Sequence, residues 1–214
     1  YDGQGDGDGL YEGVWGNVPN GQYGSSQGAG ENILFWRDLS EAGLIDQTFS
    51  NASANAMAVY SGSSIGDYLP KAKIGSNTYV MVWSGGTTGN MNTGNGKNYI
   101  SIAGVERVGS VCGGCASSSV DGLTVSEAYA IDTKIDDGLP QSGSVTAMAP
   151  ILTGPGYWAN WYGAHASRLP TTASTAPSDT TCYDNNSTGG SPQQYSMSTN
   201  QGSGKNCGLS IEVD

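Results

Sequence analysis

The stretch AYAIDTKIDDGLPQSG, residues 128–143, brings Asp132, Lys134, Asp136 and Asp137 close together. Carboxylates at this density suit a bound cation or an acid–base pair. The spacing argues otherwise. Asp132 and Asp136 stand at i and i+4 on one helical face, where like charges are mildly destabilising unless something offsets them, and Lys134 sits too far round the helix to pair with either. Gly138 and Pro140 follow at once, a helix stop and a block to its continuation. The segment therefore predicts that Asp136 and Asp137 accept backbone hydrogen bonds as a helix ends, making it a brace rather than an active site.

Other residues invite chemistry more weakly. The opening YDGQGDGDGLYEG sets Asp2, Gln4, Asp6, Asp8 and Glu12 among glycines. Oxygen ligands at alternate positions with tight turns between them are what Ca²⁺ requires. The register is imperfect, because the closing glutamate of such a loop would fall at Gly13, and a flexible acidic terminus reads the same way. Calcium is the one candidate cofactor, and none is required. Cys112-Gly-Gly-Cys115 suits a redox pair, half a metal site or a local disulfide. No βαβ pattern surrounds it, and His165 is the lone histidine, so the Cys112–Cys115 disulfide is the favoured reading. His165 has no nucleophile elbow to serve, and no enzymatic activity is expected. Tyr157, Trp158, Trp161 and Tyr162 form an aromatic cluster, suited to a subunit interface or to stacking against a sugar. Asn51-Ala-Ser and Asn185-Asn-Ser-Thr match the N-glycosylation sequon, and LPTTASTAPSDTT has an O-glycosylated composition.

Few elements are available to position these groups. In ENILFWRDLSEAGLID, Ile33, Leu34, Trp36, Leu39 and Ala42 lie mostly on one face and Gly43 is a stop, predicting a helix over 31–42 with Leu44 and Ile45 packed beneath its end. Thr124 and Glu127 form the T-x-x-E capping box of a second helix, ended by Gly138. NTYVMVW (77–83), NYISIAGV (98–105), SGSVTAMAPI and the closing CGLSIEV read as strands, the last with Leu209, Ile211 and Val213 on one face. The connection SGGTTGNMNTGNGK is long for a hairpin. Residues 46–76 are ambiguous, 152–206 lack clear periodicity, and no internal repeat is present.

The composition narrows the class. Glycine supplies 34 of 214 residues, far above the usual level of about 7%. Charged residues are only 13% and the net charge is −11, so the chain lacks the basic footprint of a nucleic-acid binder. It is equally unsuited to direct contact with an anionic membrane. Four cysteines in a chain poor in lysine and rich in Gly, Ser, Thr and Asn fit an exported protein with disulfides. No stretch of 18 or more apolar residues occurs. The length suits one domain, 1–214, of loop-rich fold.

Three segments in order then resemble the globular part of bacterial type IV pilin-like and pseudopilin proteins: GENILFWRDLSEAGLI, SEAYAIDTKIDDGLPQSGSVTA, and Cys182 with Cys207 in NCGLSIEV. The second is the most specific. Together they cover roughly a quarter to a third of the chain, and the rest reads as variable loops. The resemblance implies an α+β head with a small antiparallel sheet, short helices, long Gly/Ser/Asn-rich loops and a Cys182–Cys207 staple. It implies a structural subunit of an extracellular, cell-surface filament, partnered by copies of itself and acting by polymerisation. A minor pilin or adhesin-like tip that binds a glycan or surface is the alternative. Such proteins begin with a long hydrophobic helix that anchors the precursor in the membrane and later fills the filament core. This sequence departs from the pattern there. The resemblance implies that the anchor lies in cis beyond these residues or on a separate small helical pilin chain, the only route to a membrane.

Overall fold

The computed structural model describes residues 7–11, 30–49, 60–84, 96–105, 107–108, 116–117, 122–148, 176–179, 181–205 and 207–213. Their elements run α1 (Glu31–Glu41), β1 (Tyr60–Ser61), β2 (Thr78–Ser84), β3 (Asn98–Gly104), β4 (Arg107–Val108), β5 (Ala116–Ser117), α2 (Val125–Ile135), β6 (Val145–Met148), β7 (Tyr183–Asp184), β8 (Gln194–Tyr195) and β9 (Gly208–Val213). The architecture is α+β. A four-stranded antiparallel sheet in the order β2-β3-β9-β6 forms its frame. A small β1-β4-β5 sheet and a β7-β8 hairpin complete it. Among the described residues no helix is long and apolar enough to cross a membrane.

The register sorts the main sheet into two faces. Val80, Ile102, Leu209 and Ala147 stand in one rung, with Val82, Ile100, Ile211 and Val145 in the next. Side chains alternate along a strand, so these eight share one aliphatic face. Tyr79, Met81, Trp83, Tyr99, Ser101, Ala103, Ser210 and Thr146 share the other. These eight residues are all buried, and Glu212, which pairs with Tyr99 at the end of the same face, is partly exposed. On this face Trp83 stacks on Tyr99 at 4.4 Å between centroids and donates Nε1–H to Ser101 Oγ at 2.7 Å, which satisfies its one polar atom in the core.

Two apolar clusters divide the core. The first joins Ile33, Leu34 and Trp36 of α1 to Phe49, Ile65, Leu69 and the aromatic face of β2 and β3, and it includes Val82 of the aliphatic face, with Val80 and Ile100 packed against it. The second joins Val125 and Ala128 of α2 to Val145, Ala147 and Leu209, with Cys182, Cys207 and Tyr195 closing it. Helix α2 therefore lies over the β6 margin of the aliphatic face. The Cys182–Cys207 disulfide is present, with sulfurs 2.02 Å apart and a sequence separation of 25. It ties the segment before the β7-β8 hairpin to the start of β9. A loop of that length is worth about 3.5 kcal/mol in the chain-entropy picture.

The predicted elements appear with small shifts. Helix α1 ends one residue earlier than expected, with Ala42 as cap and Gly43 at φ 68°. Ile45 packs against the core, but Leu44 is 71% exposed. The left-handed turn at Gly43 sends the chain outward before Ile45 returns, which overturns the expectation that Leu44 lies beneath the helix. Helix α2 stops at Ile135, before Gly138, because the Asp136 backbone (φ −140°, ψ −133°) has already left the helical region. The β7-β8 hairpin was not predicted; strands of two residues are too short to show periodicity.

Candidate functional site

The acidic segment folds as helix, turn and strand. Helix α2 opens with the predicted capping box: Glu127 N–H donates to Thr124 Oγ1 at 3.1 Å, and Thr124 N–H donates to Glu127 Oε2 at 2.8 Å. Val125, Ala128 and Asp132 form its buried stripe, so the same face that seats the helix carries a carboxylate into the core. Oxygens of Asp132, Asp136 and Asp137 come within 4.8 Å of one another.

Each of these carboxylates receives donors from the protein itself. The buried Tyr195 hydroxyl donates to Asp132 Oδ2 at 2.7 Å, and Gly138 N–H donates to Oδ1 at 3.1 Å. Asp136 Oδ2 accepts from Ser144 N–H at 2.5 Å and from Val145 N–H at 3.0 Å, at the entry to β6. Asp137 Oδ1 accepts from Leu139 N–H at 2.8 Å, and its Oδ2 from the Ser142 hydroxyl at 2.5 Å. The arrangement does what the sequence predicts of Asp136 and Asp137: the carboxylates tie α2 to β6 through the turn. Burial pushes the Asp132 carboxyl above the usual carboxylate range, with Asp137 and Asp136 adding to the rise. The Tyr195 and Gly138 hydrogen bonds pull it back. Tyr195 is raised well above the usual phenol value, first by burial and then by its bond to Asp132.

Two glycines make the brace possible. Gly138 adopts φ 72° and Gly143 φ 68°, a region that costs other residues about 1 kcal/mol or more. A Cβ on Gly143 would also overlap the Asp136 carboxylate.

Of the proposed calcium ligands, Asp2, Gln4, Asp6 and Glu12 lie outside the described residues, as do Cys112, Cys115, His165, Tyr157, Trp158, Trp161 and Tyr162. Asp8 is described: its Oδ1 accepts Leu10 N–H at 2.8 Å in a local turn. The segment around it is docked on the sheet by Asn98, whose Oδ1 accepts Tyr11 N–H at 3.0 Å and whose Nδ2 donates to Gly9 O at 2.7 Å. Between this segment and α1 lies a cleft of about 340 Å³, lined by Gly7, Gly9, Leu10, Tyr11, Glu31, Leu34, Phe35 and Asp38. Tyr11 and Phe35 meet edge to face in its wall at 4.9 Å. Burial, then the nearby Glu41, pushes the Asp38 carboxyl up, while Arg37 pulls it down.

Asp132 is legible in hindsight. An aspartate on the apolar stripe of an amphipathic helix must find a buried donor. That the donor is Tyr195, far along the chain, had no local signal. Asn98 as the clamp of residues 9 and 11 had none either.

No protein-family model, curated protein or solved structure matches this chain.

Proposed function

We propose that this chain is the globular head of a type IV pilin-like subunit and acts by polymerising into an extracellular filament, not by catalysis. The reading is carried by the exposure pattern of the main sheet. Its aromatic face is closed except at Glu212, and on the aliphatic face Val82 is buried with the α1 cluster and Val145, Ala147 and Leu209 with the α2 cluster, whereas Val80, Ile100, Ile102 and Ile211 are only half-buried. The four half-buried residues make an aliphatic patch on β2, β3 and β9 between the two clusters, and we read it as the stripe that an added helix would cover. A stripe of this kind suits the apolar flank of a long helix, the part that an anchor helix would play in cis or from a separate chain. The brace and disulfide support the same reading. They hold the α2–β6 corner and the last strand in place, as a subunit outside the cell needs.

The acidic cluster has no share in this function beyond the fold, since its carboxylates hold the turn. A cryo-EM map of filaments from native cells tests the proposal. The expected map is a helical array with this domain in the outer layer and a helix against the stripe. A protein recovered only as a dispersed monomer, or an array whose core contains no helix, overturns it.

A further inference from the structure

The sequon run Asn185-Asn186-Ser187-Thr188 contains two overlapping acceptors, and the fold treats them oppositely. Asn185 follows β7 directly and is 4% exposed. Its Nδ2, the atom to which a sugar would be joined, donates to Ser191 O at 3.2 Å, and its backbone carbonyl accepts Thr188 N–H at 2.9 Å. Asn186, one residue on, is exposed, as is every residue through Gly190. Asn186 and Ser187 take φ 52° and 59°, a left-handed turn that asparagine tolerates better than most residues. Asp184 Oδ1 fixes that turn by accepting Asn186 N–H at 3.0 Å. The Thr188 hydroxyl, which completes the Asn186 sequon, is on the same side of the turn and donates to Asn186 O at 3.4 Å.

The turn is held from below. The Ser196 hydroxyl donates to Asp184 Oδ2 at 2.5 Å, and the disulfide stands at the base of the hairpin. The tip is therefore a rigid, exposed presentation of one asparagine and a concealment of its neighbour.

We propose that Asn186 is an N-linked glycan acceptor and that Asn185 is not. The inference rests on the exported location contained in the filament reading. The donor class is a lipid-linked oligosaccharide diphosphate. In the transfer the sugar C1–O bond to the diphosphate breaks, a C1–Nδ2 bond forms at Asn186, the diphosphate leaves with the electron pair, and one amide proton is released. A glycan on Asn186 points into solvent and displaces no hydrogen bond of the fold, whereas the same group on Asn185 would break the Nδ2 bond to Ser191.

Peptide mapping by mass spectrometry with electron-transfer fragmentation, on protein from native cells, tests this. The expected result is a sugar increment on Asn186. It should persist in Ser187→Ala, which removes only the Asn185 sequon, and vanish in Thr188→Ala, which removes only that of Asn186. An increment on Asn185, or an unmodified peptide from protein found in exported filaments, overturns the proposal while leaving the filament reading intact. A second arm is independent of export: the purified folded chain is offered to an oligosaccharyltransferase with a lipid-linked donor. Transfer to Asn186 alone supports the assignment; no transfer to it, while an unfolded peptide of the same sequence is modified, overturns it.

Discussion

Asp132 is a carboxylate with no solvent exposure, and its titration can be read in stability. Its folded pKa is raised, chiefly by burial. Between the ordinary carboxylate value and that raised value, the folded state binds more protons than the unfolded state. Stability from this group is then present at low pH and lost as pH rises through the folded pKa. Asn at this position does not titrate. The stability of the natural chain relative to Asp132→Asn should therefore increase as pH falls from about 7 to about 4, in urea melts at fixed ionic strength. A gap that stays constant across that range sinks the assignment. Asp132→Ala should cost about 3 kcal/mol at neutral pH, since it strands the Tyr195 hydroxyl and Gly138 N–H.

Asp136 and Gly143 make a coupled pair at the same scale. Asp136→Ala removes the acceptor of two backbone N–H groups and should cost about 2 kcal/mol. Gly143→Ala adds left-handed strain and a clash with that carboxylate. With Asp136 truncated, only the strain remains, so the cost of Gly143→Ala should fall by about 1 kcal/mol in the double variant. Additive costs in denaturant unfolding would show that the two residues do not meet.

At the scale of elements, the disulfide decides whether the hairpin and β9 stay joined. Cys182→Ser with Cys207→Ser should lower stability by about 3.5 kcal/mol, measured by thermal or urea unfolding. Legibility in the sequence divides along the same line. Helices α1 and α2, and strands β2, β3, β6 and β9, were readable because each repeats its pattern over several residues, and the capping box and Gly43 mark helix ends locally. The two-residue strands β1, β4, β5, β7 and β8 carry no such repeat. In the β7-β8 hairpin the pairing is reinforced by a side-chain bond from Ser196 to Asp184 that no alternation pattern encodes. Within the candidate site, the turn role of Asp136 and Asp137 followed from adjacent stop signals. The Tyr195–Asp132 bond spans 63 residues, and no local pattern encodes a contact of that range.

For the molecule as a whole, the half-buried stripe on the sheet lets the proposed assembly be tested apart from folding. Ile211 pairs with Ile100 and Val145 at the centre of the aliphatic face, yet it is only half-buried. If an anchor helix packs there, a charge at this point must be desolvated in the filament but can reach water in the free domain by extending its stem. Ile211→Lys should then leave an isolated, disulfide-intact domain with a cooperative melt and abolish filament formation in cells. Leu44→Asp, at a site that is 71% exposed and outside the sheet, is the matched control and should assemble normally. Ile211→Ser supplies a milder variant should lysine impair folding, and it should reduce filament number without a comparable loss of melting temperature. Filaments of normal abundance built from Ile211→Lys protein would show that the stripe faces solvent in the assembly and would remove the observation that carries the filament reading.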